Sequence, residues 1–169
     1  LGAPVVSQEV VHRLRTRMLA LASRMPPVVM SSVVKSVCNA WTTSGRFAGP
    51  NLPCPFGCRA QSGDKWSHFP RCPAIQRMWR ETYPNADISF VELYLGQALL
   101  LSPGLSNEVV AQVAIWTDVV GHLSNDIRAN ATPPTRVAVE GGEMMAARLR
   151  HLAVLSDGAK AVIAVIRAA

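Results

Sequence analysis

The sequence predicts a mostly α-helical protein, a helical bundle carrying one small Cys/His-rich loop. Apolar residues recur at three- and four-residue spacing through most of the 169 positions, the period of one face of a helix. Strand signals shrink to VVM and RVAV, which are too short for a sheet. Three of the four cysteines and one of the four histidines fall in CPFGCRAQSGDKWSHFPRC, residues 54 to 72. There is no internal repeat and no long low-complexity segment.

From Ser7 to Arg24, Val10, Val11, Leu14, Met18, Leu21 and Ala22 repeat at helical spacing, with Arg13, Arg17 and Arg24 on the other side. Pro26 and Pro27 end that helix, and SSVVKSVCNAW, Ser31 to Trp41, resumes the pattern. Cys38 lies in this second helix and is expected to pack as a small apolar side chain. Residues 42 to 57 hold three prolines and three glycines and are expected to form a loop leading into the cluster.

Pro73 suits a first helical turn, where a missing N–H costs nothing, and AIQRMWRETY continues with Ile75, Met78 and Trp79 on one side. Ser-Phe-Val-Glu at Ser89 is a capping-box pattern opening a helix over Phe90 to Leu101. Ser106 starts the longest helix, to about Ala129, with a stripe of Val109, Val113, Trp116, Val120, Leu123 and Ile127. After a TPPT loop, Glu143 to Leu155 and Ala159 to Arg167 are Ala-rich helical segments. The expected division is a basic helical and metal-binding region over 1–82 and an α-helical region over 83–169, within one compact unit.

Hydrophobic residues make up 49% of the chain and charged residues 17%, so part of the apolar surface is expected to meet a partner. No apolar run is long enough for a transmembrane span. The net charge of +6 is uneven. Residues 1 to 80 hold eleven Lys or Arg against two acids, whereas residues 81 to 169 hold six against nine. A polyanion would therefore be met by the half that carries the cluster, although a solvated basic face has the same composition. The chain begins at Leu1, as expected of a processed product or a fragment. VVHRLRTRMLALASR is Arg-rich and free of acids, as transit peptides to a mitochondrion or plastid are, but an ordinary amphipathic helix reads the same way. No secretory signal is visible.

Cys54 and Cys58 are spaced C-x3-C, and His68 and Cys72 come later as H-x3-C. Two thiolates at a turn and a His/Cys pair beside a helix start can converge on a tetrahedral ion, and Zn²⁺ accepts three cysteines and one histidine. Pro55 and Gly57 permit the first reversal, Gly63 and Asp64 the second. The fold class is thus a bundle with a zinc-stabilised loop, a Cys3His knuckle. Four protein ligands leave zinc no open position, which makes such a site structural before it is catalytic. The alternative is a Cys54–Cys58 disulfide, which needs an oxidising compartment. Iron–sulfur ligation fits the spacing less well.

The segment PPVVMSSVVKSVCNAWTTSGRF, with CPFGC, GDKWSHFPRC and a Trp-bearing helix after it, resembles the zinc-binding region downstream of the polymerase domain in non-LTR retrotransposon reverse transcriptases. The likeness covers roughly residues 25 to 82, and VVAQVAIWTDVVGHLSNDIR is similar to the stretch after the finger in some of these elements. It implies Cys54, Cys58, His68 and Cys72 as ligands, with Arg46 and Phe47 as flanking elements. No two acidic residues are adjacent, so the paired aspartates of a polymerase palm are missing, and 169 residues leave no room for fingers and palm. The resemblance thus implies the tail of such a protein without its polymerase.

No G-x-S-x-G is present, and GPNLPCPFG lacks the Lys-Ser/Thr end of a phosphate-binding loop. His12, His122 and His151 are scattered on helices and read as surface or packing residues. Trp41, Trp66 and Trp79 stand among Arg46, Arg59, Lys65, Arg71, Arg77 and Arg80, and aromatics interleaved with cations are how single strands are held. Trp41 and Trp79 lie on apolar faces and read as core, whereas Trp66, in a polar loop, is expected to stack on a base.

The sequence supports two readings. In the first the protein is not an enzyme but an accessory subunit that binds nucleic acid, RNA foremost, through the basic residues around the zinc knuckle. In the second it is a structural subunit of a large organellar assembly, ribosomal, respiratory or photosynthetic, and its contacts are with protein.

Overall fold

The computed structural model describes residues 7–38, 40, 41, 43, 52–59, 63–84 and 106–168. The helix expected over Phe90–Leu101, and Arg46 with Phe47, lie outside them. The described residues form six α-helices, one 3-10 helix and no strand: α1 (Gln8–Ala22), α2 (Pro27–Val37), a 3-10 helix (Trp66–Arg71), α3 (Pro73–Thr82), α4 (Asn107–Ala129), α5 (Pro134–Leu155) and α6 (Asp157–Ala168). None is long and apolar enough to cross a membrane.

Helix starts obey local chemistry. The Ser7 and Ser106 hydroxyls accept from the backbone N–H groups of Val10 and Val109, at 3.3 and 3.2 Å, and so satisfy donors that the first turn leaves open. Pro27, Pro73 and Pro134 occupy first helical positions, where the fixed φ of proline is already helical. This chemistry moves two boundaries. α2 begins at Pro27 rather than Ser31 and ends at Val37, and α5 begins at Pro134 rather than Glu143, so RVAV is helical. Cys38 is the residue that ends α2 and is exposed, not packed.

The axle of the bundle is α4, which packs against α1, α2, α5 and α6, while α3 packs on α5 and on the 3-10 helix. The stripe expected on α4 is inside, with Val109 partly so, but Ala111, Ala114, Ile115 and Val119 are buried too. A helix that is apolar nearly all round belongs in a core. Its Gly121 permits a close approach. A Cβ there would lie 2.1 Å from Cη2 of Trp41, so the indole rests directly on the α4 backbone. One cluster of buried side chains runs from Leu21 and Val29 through Phe56, Trp66, Phe69 and Trp79 to Trp116, Leu149 and Ile163.

Candidate metal centre

Two tight reversals build the site. In CPFG the Gly57 N–H donates to the Cys54 carbonyl at 2.9 Å, and Gly57 adopts φ +75°, which side chains resist. The turn throws Phe56 into the core, where its ring meets Phe69 edge-on at 5.3 Å, and leaves Cys54 and Cys58 facing the same space. The second reversal is at Gly63, φ +61°, where a Cβ would meet the Leu52 carbonyl at 2.8 Å. Immediately after it the Asp64 N–H donates to that same carbonyl at 3.0 Å, closing the loop two residues before Cys54.

The returning arm carries His68 in the 3-10 helix, its N–H bonded to the Lys65 carbonyl at 3.0 Å. Cys72 caps α3 by its backbone, since its carbonyl accepts from Gln76 N–H at 3.0 Å.

The ligand atoms of Cys54, Cys58, His68 and Cys72 all lie within 4.8 Å of one another. Cys54 and Cys72 Sγ are 3.7 Å apart, and two thiolates at about 2.3 Å on corners of a tetrahedron would be about 3.8 Å apart. Cys58 Sγ and His68 Nε2 are closer, 3.0 Å, a gap that a bound ion would open to about 3.5 Å. Cys54, His68 and Cys72 are buried and Cys58 half-buried, so the cluster is largely shielded from water. All four cysteines are free thiols, with no Cys54–Cys58 disulfide.

Crowding works against ionisation of the Cys54 thiol. The Cys72 thiol beside it, and then burial, push Cys54 up to about 12, against an opposing hydrogen bond with His68. A cation in the centre would reverse that, because coordination replaces the thiol proton. The donor set therefore fits a metal ion by its chemistry, with three soft sulfur donors and an imidazole facing one space.

The basic residues expected to contact nucleic acid divide. Arg59, Lys65, Arg71, Arg77 and Arg80 are exposed on or around the knuckle and α3, while Arg46 lies outside the described residues. Trp66 is not available for base stacking. It is 6% exposed, stacks on Trp41 with ring centroids 5.0 Å apart and 18° between planes, and meets Trp116 at 6.4 Å. Its polar neighbours in sequence suggest a surface, but the 3-10 helix turns Trp66, His68, Phe69 and Pro70 inward and Lys65, Ser67 and Arg71 outward. Trp41 and Trp79 are core, as expected.

A second buried polar cluster has no counterpart among the sequence motifs. Asp118 on α4 is 0% exposed and accepts from Ser32 Oγ of α2 at 2.7 Å and Arg148 Nε of α5 at 2.8 Å, and His122 Nδ1 lies 3.2 Å from its Oδ1. Burial works to raise the Asp118 carboxyl, but hydrogen bonds from His122, Arg148 and Ser32 outweigh it and hold the group below its ordinary value. The same hydrogen bond to Asp118 raises His122, against its own burial. The one sequence signal of this cluster is an acid in the middle of an otherwise apolar helix.

No protein family, curated protein or solved structure matches this chain.

Proposed function

We propose that this is a non-catalytic, zinc-stabilised helical protein that binds nucleic acid, RNA foremost, as an accessory subunit. The observation that carries the reading is the convergence of Cys54, Cys58, His68 and Cys72 within 4.8 Å in a stretch whose cations Arg59, Lys65 and Arg71, with Arg77 and Arg80 on α3, are exposed. Zinc suits three thiolates and an imidazole, and with four protein ligands it supplies rigidity rather than a site for water or substrate. The knuckle then fixes where the cations stand, and they meet phosphates. Bases would be read by other groups than Trp66. The ligand spacing and the helix before it, with their likeness to the tail of non-LTR reverse transcriptases, support descent from a retroelement-like protein.

The test is RNA binding by the metal-loaded protein across a salt series. Log affinity is expected to fall linearly with log salt, and Arg77→Ala to weaken binding evenly across sequences while reducing the slope by about 1. A flat salt dependence overturns the reading.

A second reading is a structural subunit of a large organellar assembly that contacts protein. It is favoured by large apolar side chains left outside, Val139 at 83% and Val154 at 85% exposed, with Leu19 and Val165 also open. A monodisperse monomer at high concentration counts against it.

A further inference from the structure

We propose that Arg128, at the end of α4, is a positioning residue of the metal site, holding both ligand-bearing arms of the knuckle at coordination distance through Asp64. The inference rests on the metal reading above.

Asp64 is 2% exposed and sits between the two halves of the ligand set. Its backbone N–H closes on Leu52, which places the arm bearing Cys54 and Cys58. The next residue, Lys65, supplies the carbonyl that receives the His68 N–H and starts the turn leading to Cys72. Whatever fixes Asp64 therefore fixes both arms. The Asp64 carboxylate takes Arg128 in a two-pronged grip, Nε to Oδ2 at 3.1 Å and Nη2 to Oδ1.

The guanidinium is itself held. Nη1 donates to Ser124 Oγ at 3.1 Å and to Asn125 Oδ1 at 3.2 Å, both on the preceding turn of α4. A planar fork with its other edge tied down sets direction as well as charge, which a lysine ammonium does not. Without Arg128 a buried carboxylate would lack this cation and would draw the loop toward water, taking Leu52 and Lys65 with it.

The experiment uses the full chain loaded with Zn²⁺ or Co²⁺, its affinity measured by competition with a chromophoric chelator. Arg128→Ala is expected to weaken metal binding about ten- to a hundredfold, as loss of outer-shell partners does. The tetrahedral ligand-field bands of bound Co²⁺ should shift or broaden. Arg128→Lys should restore part of the affinity, and Asp64→Asn combined with Arg128→Ala should be no worse than the more severe single variant. If Arg128→Ala fails to fold by circular dichroism, Arg128→Lys and Asp64→Asn carry the same comparison.

Two results overturn the inference alone. One is a wild-type chain that binds metal while the variants bind as tightly. The other is equal loss of thermal stability in the metal-free and loaded forms with an unchanged Co²⁺ spectrum. A wild-type chain that takes up neither ion overturns the metal reading, and the inference with it.

Discussion

The knuckle and the Asp118 cluster both bury polar groups, and they do so in opposite ways. Asp118 is surrounded by its own complement, a hydroxyl from α2, an imidazole one turn along α4 and a guanidinium from α5. The knuckle gathers three sulfurs and an imidazole nitrogen, donors that repel one another once the thiols lose their protons. A buried acid with its counter-ions in place is finished when the chain folds, and it ties helices together. A buried set of converging soft donors is completed by a cation.

Metal removal should separate the two regions most. Binding of zinc to such a ligand set contributes on the order of 10 kcal/mol at neutral pH, so chelation or Cys72→Ser is expected to open residues 54 to 72 and loosen the start of α3. α4 should keep its protection, because it is held by α1, α2, α5 and α6. Hydrogen exchange and limited proteolysis would read this. Unchanged protection of the loop after verified metal loss would mean that Phe56, Trp66 and Phe69 hold the knuckle closed by packing alone.

The converse change comes next in size. Asp118→Ala leaves Arg148 and His122 without their buried partner and is expected to cost about 3–5 kcal/mol. Denaturant unfolding measures it, and metal uptake by the variant should match that of the wild-type chain. A parallel loss of metal would show that the two regions are not independent.

The smallest effect sharpens the chemistry of the finished cluster. His122 is raised in the folded protein, so its contribution to stability is complete below its unfolded value, about 6.5, and is lost as pH rises through the higher folded value. Asp118 is lowered, so its contribution is present above its unfolded value, about 4, and is lost as pH falls through the lower folded one. Stability from this pair should peak between them. The melting temperature is expected to decline on the alkaline side, and His122→Gln to flatten that decline while leaving the acid limb.

Local signals are legible in the sequence. The starts at Ser7 and Ser106 and the apolar faces of α3 and α4 can be read because each depends on neighbours a few residues away, and the convergence of Cys54, Cys58, His68 and Cys72 can be read from their paired spacing. Periodicity misplaces the starts of α2 and α5, because proline at a first helical position looks like a break and the β-branched run RVAV carries a strand signal. Trp66 looks exposed because its burial depends on Trp41 and Trp116, which only the folded chain brings to it. Asp118 shows in the sequence only as an acid within an apolar stretch, since its partners Ser32 and Arg148 come from two other helices.

The Trp41 and Trp66 rings have one more consequence. Trp66 belongs to the same short turn as His68, and the edge of Trp41 meets His122 at 6.2 Å. Two indoles stacked this closely share their electronic excitation, and one lies in the turn that carries His68 while the other meets His122. With Trp116 also 6.4 Å from Trp66, near-ultraviolet optical activity is expected to respond when either site is disturbed, without any attached label.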